Sequence, residues 1–315
     1  MSTTTATSKG RLVFFGNERL ATGVTSSVET LKRLIANGYE VVAVVTNYEV
    51  GVSRKSRELE IEQVALQYDI PLLMPSKPIE IIDQLREYGA VAGVLVAYGR
   101  IIPQSVIDVF PRGIINIHPS LLPLHRGPTP IESAILEGSR KTGVCIMQLA
   151  KEMDAGPVYG YSELSLSGNE LKQELADVLL ELGSRTLLEL LPGIITGEVV
   201  GQPQSGHPSY DSLITKTDGM IDWNKSAVQI EREVRAYSGW PGSRTTLANK
   251  EVAITKAHVV AGTGNPGDIE ATKKELLITT ADQRLAIDTL KPSGKTEMSI
   301  EAFLAGHHRL LAPTG

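Results

Sequence analysis

Residues 11–16 (RLVFFG) are almost wholly apolar, and residues 25–37 then place Val28, Leu31, Leu34 and Ile35 three, three and one apart. The first pattern predicts a short buried strand ending at Gly16. The second predicts one face of a helix, with Gly38 positioned to terminate it. Residues 41–46 return to a β-branched run, which completes a strand–helix–strand unit with a right-handed crossover. The alternation continues with a helix over 56–68, a short strand over 71–74 and a helix over 78–88. Residues 91–96 are nearly all apolar, as suits a central parallel strand covered on both faces. A short helix over 103–110 and a strand over 113–118 follow. Alternating elements of this kind predict an open α/β sheet.

The pattern changes beyond Asp154. Residues 168–191 read as a long amphipathic helix with Leu171, Leu179, Leu182 and Leu187 among its apolar positions. Residues 194–210 are dense in Gly, Pro, Gln and Ser, the composition of a boundary. One helix is expected over 226–236. Short β-branched runs follow at 243–247, 251–260, 275–279 and 285–290, spaced as in a small antiparallel barrel or sandwich. The expected organisation is a frayed tail over 1–10, a first domain over 11–193, a linker over 194–210 and a second domain over 211–315.

Composition narrows the classes of function. Lys and Arg number 31 against 36 Asp and Glu, so a nucleic-acid partner must be met by local patches rather than by a general positive field. One cysteine, Cys145, rules out an internal disulfide framework and points to a reducing compartment. The apolar run from Val91 to Tyr98 falls far short of the roughly 20 residues a membrane helix needs. The opening MSTTTATSKG lacks the apolar core of a secretory signal. A cytoplasmic protein that makes no use of a membrane is expected.

The candidate chemistry gathers at residues 114–127 (IINIHPSLLPLHRG). Asn116 and His118 stand two apart at the end of a predicted strand, so they share a face. Ligand crevices of open α/β sheets lie beyond the carboxyl ends of the strands. An amide and an imidazole there have the chemistry of an oxyanion donor beside an acid/base group. The same pair would also arise as a strand end bonding to loop backbone, and spacing alone does not separate the two. Ser120, Leu121, Leu122 and Pro123 form a proline-stiffened turn whose leucines suit a flat ring or simply anchor a loop. Asp154 sits in KEMDAG, where Gly156 permits a tight turn. It would orient His118 or serve as a solvated turn residue. Arg54, Lys55 and Arg57 form a small basic cluster that is either a phosphate contact or a solvated helix start. Gly262, Gly264 and Gly267 match a dinucleotide fingerprint, but in a β-rich region where a hairpin loop fits better. His118 and His125 lack the cysteine or clustered carboxylates of a metal set, and Cys145 lies in an apolar run as inert core.

Asn116-x-His118, Ser120-Leu121-Leu122-Pro123, Arg126-Gly127, Thr142-Gly143 and Asp154-x-Gly156 together resemble the 10-formyltetrahydrofolate-dependent formyltransferases. Val96-Ala97-Tyr98-Gly99, residues 126–138 (RGPTPIESAILEG), residues 221–245 and residues 290–299 extend the resemblance over nearly the whole chain. It is closest to the branch that acts on aminoacylated initiator tRNA. The resemblance implies a Rossmann-like open sheet of the formyltransferase type followed by a smaller OB-like β-barrel. It implies Asn116, His118 and Asp154 as the catalytic trio, Ser120 to Pro123 flanking the folate, and no metal. The acceptor it implies is methionine on initiator tRNA, met by a monomer. Arg54, Lys55, Arg57 and Arg126 are the candidate tRNA contacts, with Arg235 and Arg244 as further ones. Two segments depart from the family pattern. The stretch TNYEVGVSRKSRELE is shorter and less basic than the usual insertion, and GNERLATG replaces the common first loop. A sugar-nucleotide N-formyltransferase is the alternative within the family, and a non-catalytic RNA-binding protein with an OB-like barrel is the alternative outside it.

Overall fold

The alternating first half folds as a layered α/β unit whose strand order places the candidate residues at one edge. The computed structural model describes residues 9–18, 22–25, 28–47 and 59–311, with side chains as far as His307. Strand β1 (Arg11–Gly16) is followed by α1 (Glu29–Ala36), β2 (Glu40–Val45), α2 (Glu60–Gln67) and β3 (Leu72–Leu73). A 3-10 turn over Pro78–Ile81 runs into α3 (Ile82–Glu87), and then come β4 (Ala92–Val96), α4 (Gln104–Ile107) and β5 (Ile114–His118). Helix α5 (Pro130–Glu137), β6 (Lys141–Gln148), β7 (Val158–Ser165) and α6 (Lys172–Thr196) complete this half. The sheet order is β3-β2-β1-β4-β5-β6-β7. The first five strands in the chain run parallel, so Gly16, Val45, Val96 and His118 end on the same edge. Strand β6 pairs antiparallel with β5 and with β7, which makes the sheet mixed rather than wholly parallel.

The central strands are buried at successive positions, and side-chain alternation divides the core between the two faces of the sheet. Leu12, Phe14, Val94, Val96, Ile115 and Ile117 pack with Leu180, Leu187, Leu191 and Ile194 of α6. Val13, Phe15, Leu95 and Ile114 pack with Tyr98, Val106 and Phe110 on the other face. Gly183 permits the close approach of α6: a Cβ there would meet Ile117 Cγ2 at 2.4 Å. The helix also continues past Pro192 to Thr196, five residues beyond where the sequence pattern ends it, with Ile194 buried in the core.

The chain forms two compact units: residues 1–130, 141–165 and 174–212 in one, and residues 131–140, 166–173 and 213–315 in the other. The second unit contains α7 (Ala227–Ala236), β8 (Ser243–Leu247), β9 (Lys250–Val260), β10 (Ile269–Ala271), β11 (Leu276–Thr279), β12 (Arg284–Pro292), β13 (Met298–Ser299) and α8 (Ile300–Leu311). Ser226 caps α7 by accepting from the Gln229 amide. The strand order is β10-β11-β12-β9-β8, with β13 on β12, all antiparallel. Register shifts around Thr289 bend β12 against β9, and the sheet curls into a half-barrel of the OB-like kind. Ile230 and Val234 of α7 and Phe303 and Leu304 of α8 fill its concave side with Leu285, Ile287 and Leu290. The glycine triplet at 262, 264 and 267 lies in the β9–β10 connection, a loop as expected but not a hairpin, because β9 and β10 are not neighbours in the sheet.

A buried ion pair sits in this second unit. Lys172 Nζ lies 4.0 Å from Glu132 Oε1 and donates to the Trp240 carbonyl at 2.7 Å, both side chains being 3% exposed. Burial pushes the Lys172 amine below its ordinary pKa of 10.5, and the Glu132 charge pulls it back up. Removing one partner of such a pair costs about 3–5 kcal/mol because a charge remains in low dielectric. Glu132→Ala is therefore expected to lower the denaturation midpoint with an unchanged denaturant slope. An unmoved midpoint in urea titration would count against the pair.

Candidate active site

Strand β5 carries two side-chain sets. Ile115 and Ile117 belong to the α6 face, whereas Ile114 packs on the other. Asn116 and His118 continue the Ile114 face toward the carboxyl end of the strand. Both are nearly buried, at 7% and 4% exposure. Among the described residues the Asn116 amide has no hydrogen-bond partner, so its donors remain available to a ligand.

His118 is held from both sides. Its Nε2 lies 3.0 Å from the His125 carbonyl. A carbonyl only accepts, so Nε2 carries the proton and Nδ1 holds the lone pair in the neutral ring. Nδ1 faces Asp154 Oδ1 at 3.8 Å. That is beyond a hydrogen bond. Asp154 in turn accepts from the Gly127 amide at Oδ2, 2.8 Å away. It sits at φ +47°, in a turn that Gly156 allows to close, since a Cβ at 156 would meet the Gln148 carbonyl at 1.9 Å. The structure therefore brings His118 and Asp154 together, with Asn116 beside His118 on the same strand face.

The turn after β5 is braced by its own polar groups. Ser120 is fully buried, and its hydroxyl donates to the Leu124 carbonyl at 2.7 Å. The Leu122 carbonyl accepts from Tyr161 at 3.1 Å, and the Leu122–Pro123 peptide is cis. Leu122 packs with Cys145, Met147 and Val158, while Leu121 lies against Gly143. Of the four residues at 120–123, Ser120 and Leu122 are buried, and Leu121 and Pro123 are partly accessible.

The basic candidates are more dispersed. Arg54, Lys55 and Arg57 lie outside the described residues. The Arg126 guanidinium donates to Gln204 Oε1 from Nε (3.1 Å) and Nη2 (2.7 Å) and to the Tyr210 hydroxyl from Nη1 (2.9 Å). Arg235 is bound to Glu231 through Nε and Nη2, and Arg244 donates to the Lys216 carbonyl. Sequence reasoning gave no role to His125, Gln204, Ser209 or Asp211. His125 Nδ1 lies 3.2 Å from Asp211 Oδ1, and Gln204 donates to the Asp154 and Gly156 carbonyls at 2.7 and 2.9 Å. The adjacency of His125 to the Leu-Pro turn was the available signal, but its partner lies 86 residues away. A cleft lined by Phe14, Gly16, Asn17, Glu18, Val28, Ile61 and Val96 contains none of the trio. No cluster of three or more His, Cys, Asp or Glu placed to hold a metal occurs among the described residues.

Residues 11–191 match the family described as formyl transferase, and residues 213–308 match the formyl transferase C-terminal domain. The chain belongs to the formyltransferase family. It is 34% identical over 307 residues to the methionyl-tRNA formyltransferase of Chloroflexus aurantiacus, covering 95% of this chain and 97% of that one. It is 36% identical over 304 residues to the methionyl-tRNA formyltransferase of Methylococcus capsulatus, covering 94% and 97%. Among solved structures, the formyltransferase fold is shared with WlaRD, a sugar 3N-formyl transferase, at TM-score 0.67 and 17% identity over 91% of this chain and 99% of that one. It is also shared with HypX from Aquifex aeolicus, solved with tetrahydrofolic acid, at TM-score 0.66 and 20% identity over 95% of this chain and 47% of that one.

Cys145 pairs with His118 across β5 and β6, and its thiol donates to the Ser120 carbonyl at 3.0 Å. Burial pushes the thiol pKa from 9.0 up to about 12. A folded pKa above the unfolded one contributes stability that is whole below pH 9.0 and is lost as pH rises toward about 12. With so little thiolate, Cys145 should resist an aromatic disulfide reagent near neutral pH in the folded formyltransferase and react after denaturation. Rapid labelling of the folded protein would contradict this environment.

Proposed function

We propose that this protein is a methionyl-tRNA formyltransferase, moving the formyl group of 10-formyltetrahydrofolate to the α-amine of methionine on initiator tRNA. The observation that carries the reading is the juxtaposition of Asn116, His118 and Asp154 in a chain that matches methionyl-tRNA formyltransferases from end to end. The folate is a substrate here. The unengaged Asn116 amide on the face of β5, with Leu121 and Leu122 in the adjoining turn, suits a formyl oxygen beside a flat ring.

The α-amine attacks the formyl carbon, forming the new C–N bond and placing negative charge on the formyl oxygen. Asn116 donates a hydrogen bond to that oxygen, an interaction that strengthens as charge develops. His118 takes the proton of the attacking nitrogen at Nδ1, the position its bond to the His125 carbonyl leaves open. Asp154 stabilises the resulting imidazolium. The same proton then passes to N10 as the C–N10 bond breaks, which returns His118 to its neutral form. Ser120 to Pro123 shape the folate side of the crevice.

The first domain carries this chemistry, and the C-terminal half-barrel holds the tRNA. Arg54, Lys55, Arg57 and Arg126 are the contacts nearest the acceptor end in this reading. A role in translation initiation places the protein in the cytoplasm, acting as a monomer. No described helix is long and apolar enough to cross a membrane. A sugar-nucleotide amine is the competing acceptor, supported only by likeness of fold.

A formyl-transfer assay offering Met-charged initiator tRNA, Met-charged elongator tRNA and amino-sugar nucleotides should give turnover with the first alone. Turnover with the sugar amine alone would replace this reading. Asn116→Ala should lower kcat by about 10²–10³, the usual loss for one oxyanion donor, with folate binding retained. Asp154→Asn should lower kcat while the fold survives. Near-normal turnover in either variant would remove that residue from the mechanism.

Replacing Arg54, Lys55 and Arg57 together by Ala should raise the KM for tRNA and flatten its salt dependence, because each phosphate contact adds about 0.7–0.9 to the log–log slope. The KM for folate should stay as it is. An unchanged salt slope would remove the cluster from the tRNA contacts.

A further inference from the structure

Two imidazoles stand seven residues apart, and only His118 enters the reaction above. His125 is as deeply placed, with its side chain 10% exposed and that of Asp211 8%. It sits at φ +58°, in the left-handed region that a non-glycine residue keeps only where its surroundings impose it. The imposition is visible. The His125 amide donates to Ser209 Oγ at 2.7 Å, the Arg126 amide to the Ser209 carbonyl at 2.9 Å, and the Asp211 amide to the Arg126 carbonyl at 2.7 Å. The His125 ring then meets Asp211 Oδ1 at 3.2 Å. The other oxygen, Oδ2, is buried and accepts no hydrogen bond from the described residues, which makes the contact with His125 the one side-chain bond to this carboxylate among them.

What residues 125–127 hold in return is the reacting pair. The His125 carbonyl receives Nε2–H of His118, and the Gly127 amide binds Oδ2 of Asp154. Rotation of the backbone at 125 would withdraw the carbonyl that selects the His118 tautomer and shift the amide that aims Asp154. We propose that His125 and Asp211 are positioning residues: a second imidazole–carboxylate pair that locks residue 125 in its left-handed state and thereby fixes the ring nitrogen with which His118 takes a proton. This rests on the reading of His118 and Asp154 as the proton-handling pair.

A mere staple would stabilise the loop without governing the His118 ring, so the test reads that ring directly. His125→Phe keeps volume but removes the donor, and Asp211→Ala removes the acceptor from the other side, serving where the Phe variant does not fold. His125→Asn is the conservative replacement. Its amide nitrogen sits about where Nδ1 does, and asparagine tolerates left-handed backbone. Both disrupting variants should lose about 10- to 100-fold in kcat, the scale for misaligned or unsupported reacting groups, with the KM values for tRNA and folate unchanged. His125→Asn should recover most of the loss. In ¹⁵N-histidine NMR of the substrate-free protein, assigned with a His118→Asn control, His118 should be a single Nε2–H tautomer in the wild type and in His125→Asn. It should be a mixture in the disrupting variants. Wild-type kcat in His125→Phe or Asp211→Ala would overturn the proposal. So would a loss carried by KM, a kcat loss with an unaltered His118 spectrum, or an Asn variant no better than the Phe variant. If the wild-type protein transfers no formyl group, the functional reading fails by itself, and the His118 spectra, which need no substrate, still decide whether the pair sets the tautomer.

Discussion

The hydrogen bond from His118 Nε2 to the His125 carbonyl leaves Nδ1 as the nitrogen that holds the lone pair in the neutral ring. Everything else at the site is arranged around that choice. A histidine whose tautomer is free spends part of its time with the wrong nitrogen protonated, and a backbone carbonyl removes that freedom because it can only accept. Asp154 then faces the open nitrogen at 3.8 Å. The carbonyl and the amide that holds Asp154 are two residues apart, so one short backbone segment aligns both partners.

Asn116 makes the complementary contribution. Its amide makes no hydrogen bond among the described residues, although the residue is only 7% exposed. In the reading proposed above, it is a donor already in place when charge appears on a substrate oxygen, with no reorganisation at the moment of reaction. The same strand shows the local compromise: its odd positions, Ile115 and Ile117, are spent on the core under α6, and its even positions pass from Ile114 to Asn116 and His118 as the strand leaves the core.

That alternation was legible in the sequence because a period of two is a local property, and so were the strand–helix repeats of the first half and most strands of the second. Strand direction was not: nothing in the run TGVCIMQ distinguishes the antiparallel β6 from a parallel neighbour. The extent of α6 was obscured by Pro192, whose lost amide bond is outweighed by packing of Ile194. Residues 194–210 read as a linker from their Gly, Pro, Gln and Ser. In the structure Gln204 and Ser209 bind residues 48 to 84 positions earlier, including the Asp154 and Gly156 carbonyls and the His125 amide. Polar composition announces a missing regular element and says nothing about long-range hydrogen bonds, which is why His125 and Asp211 went unassigned.

The assignment of residues 131–140 and 166–173 to the second unit has a consequence for the order in which the chain is completed. Glu132 and Lys172 emerge from the ribosome well before Trp240 and the strands that follow it. Until those arrive, the Lys172 amine lacks the Trp240 carbonyl that accepts from it in the folded protein. That contact spans 68 residues, and contacts of high sequence separation are the slow kind to form. A fragment cut at the nominal boundary would keep Asn116, His118 and Asp154 and leave the buried Lys172–Glu132 pair without Trp240.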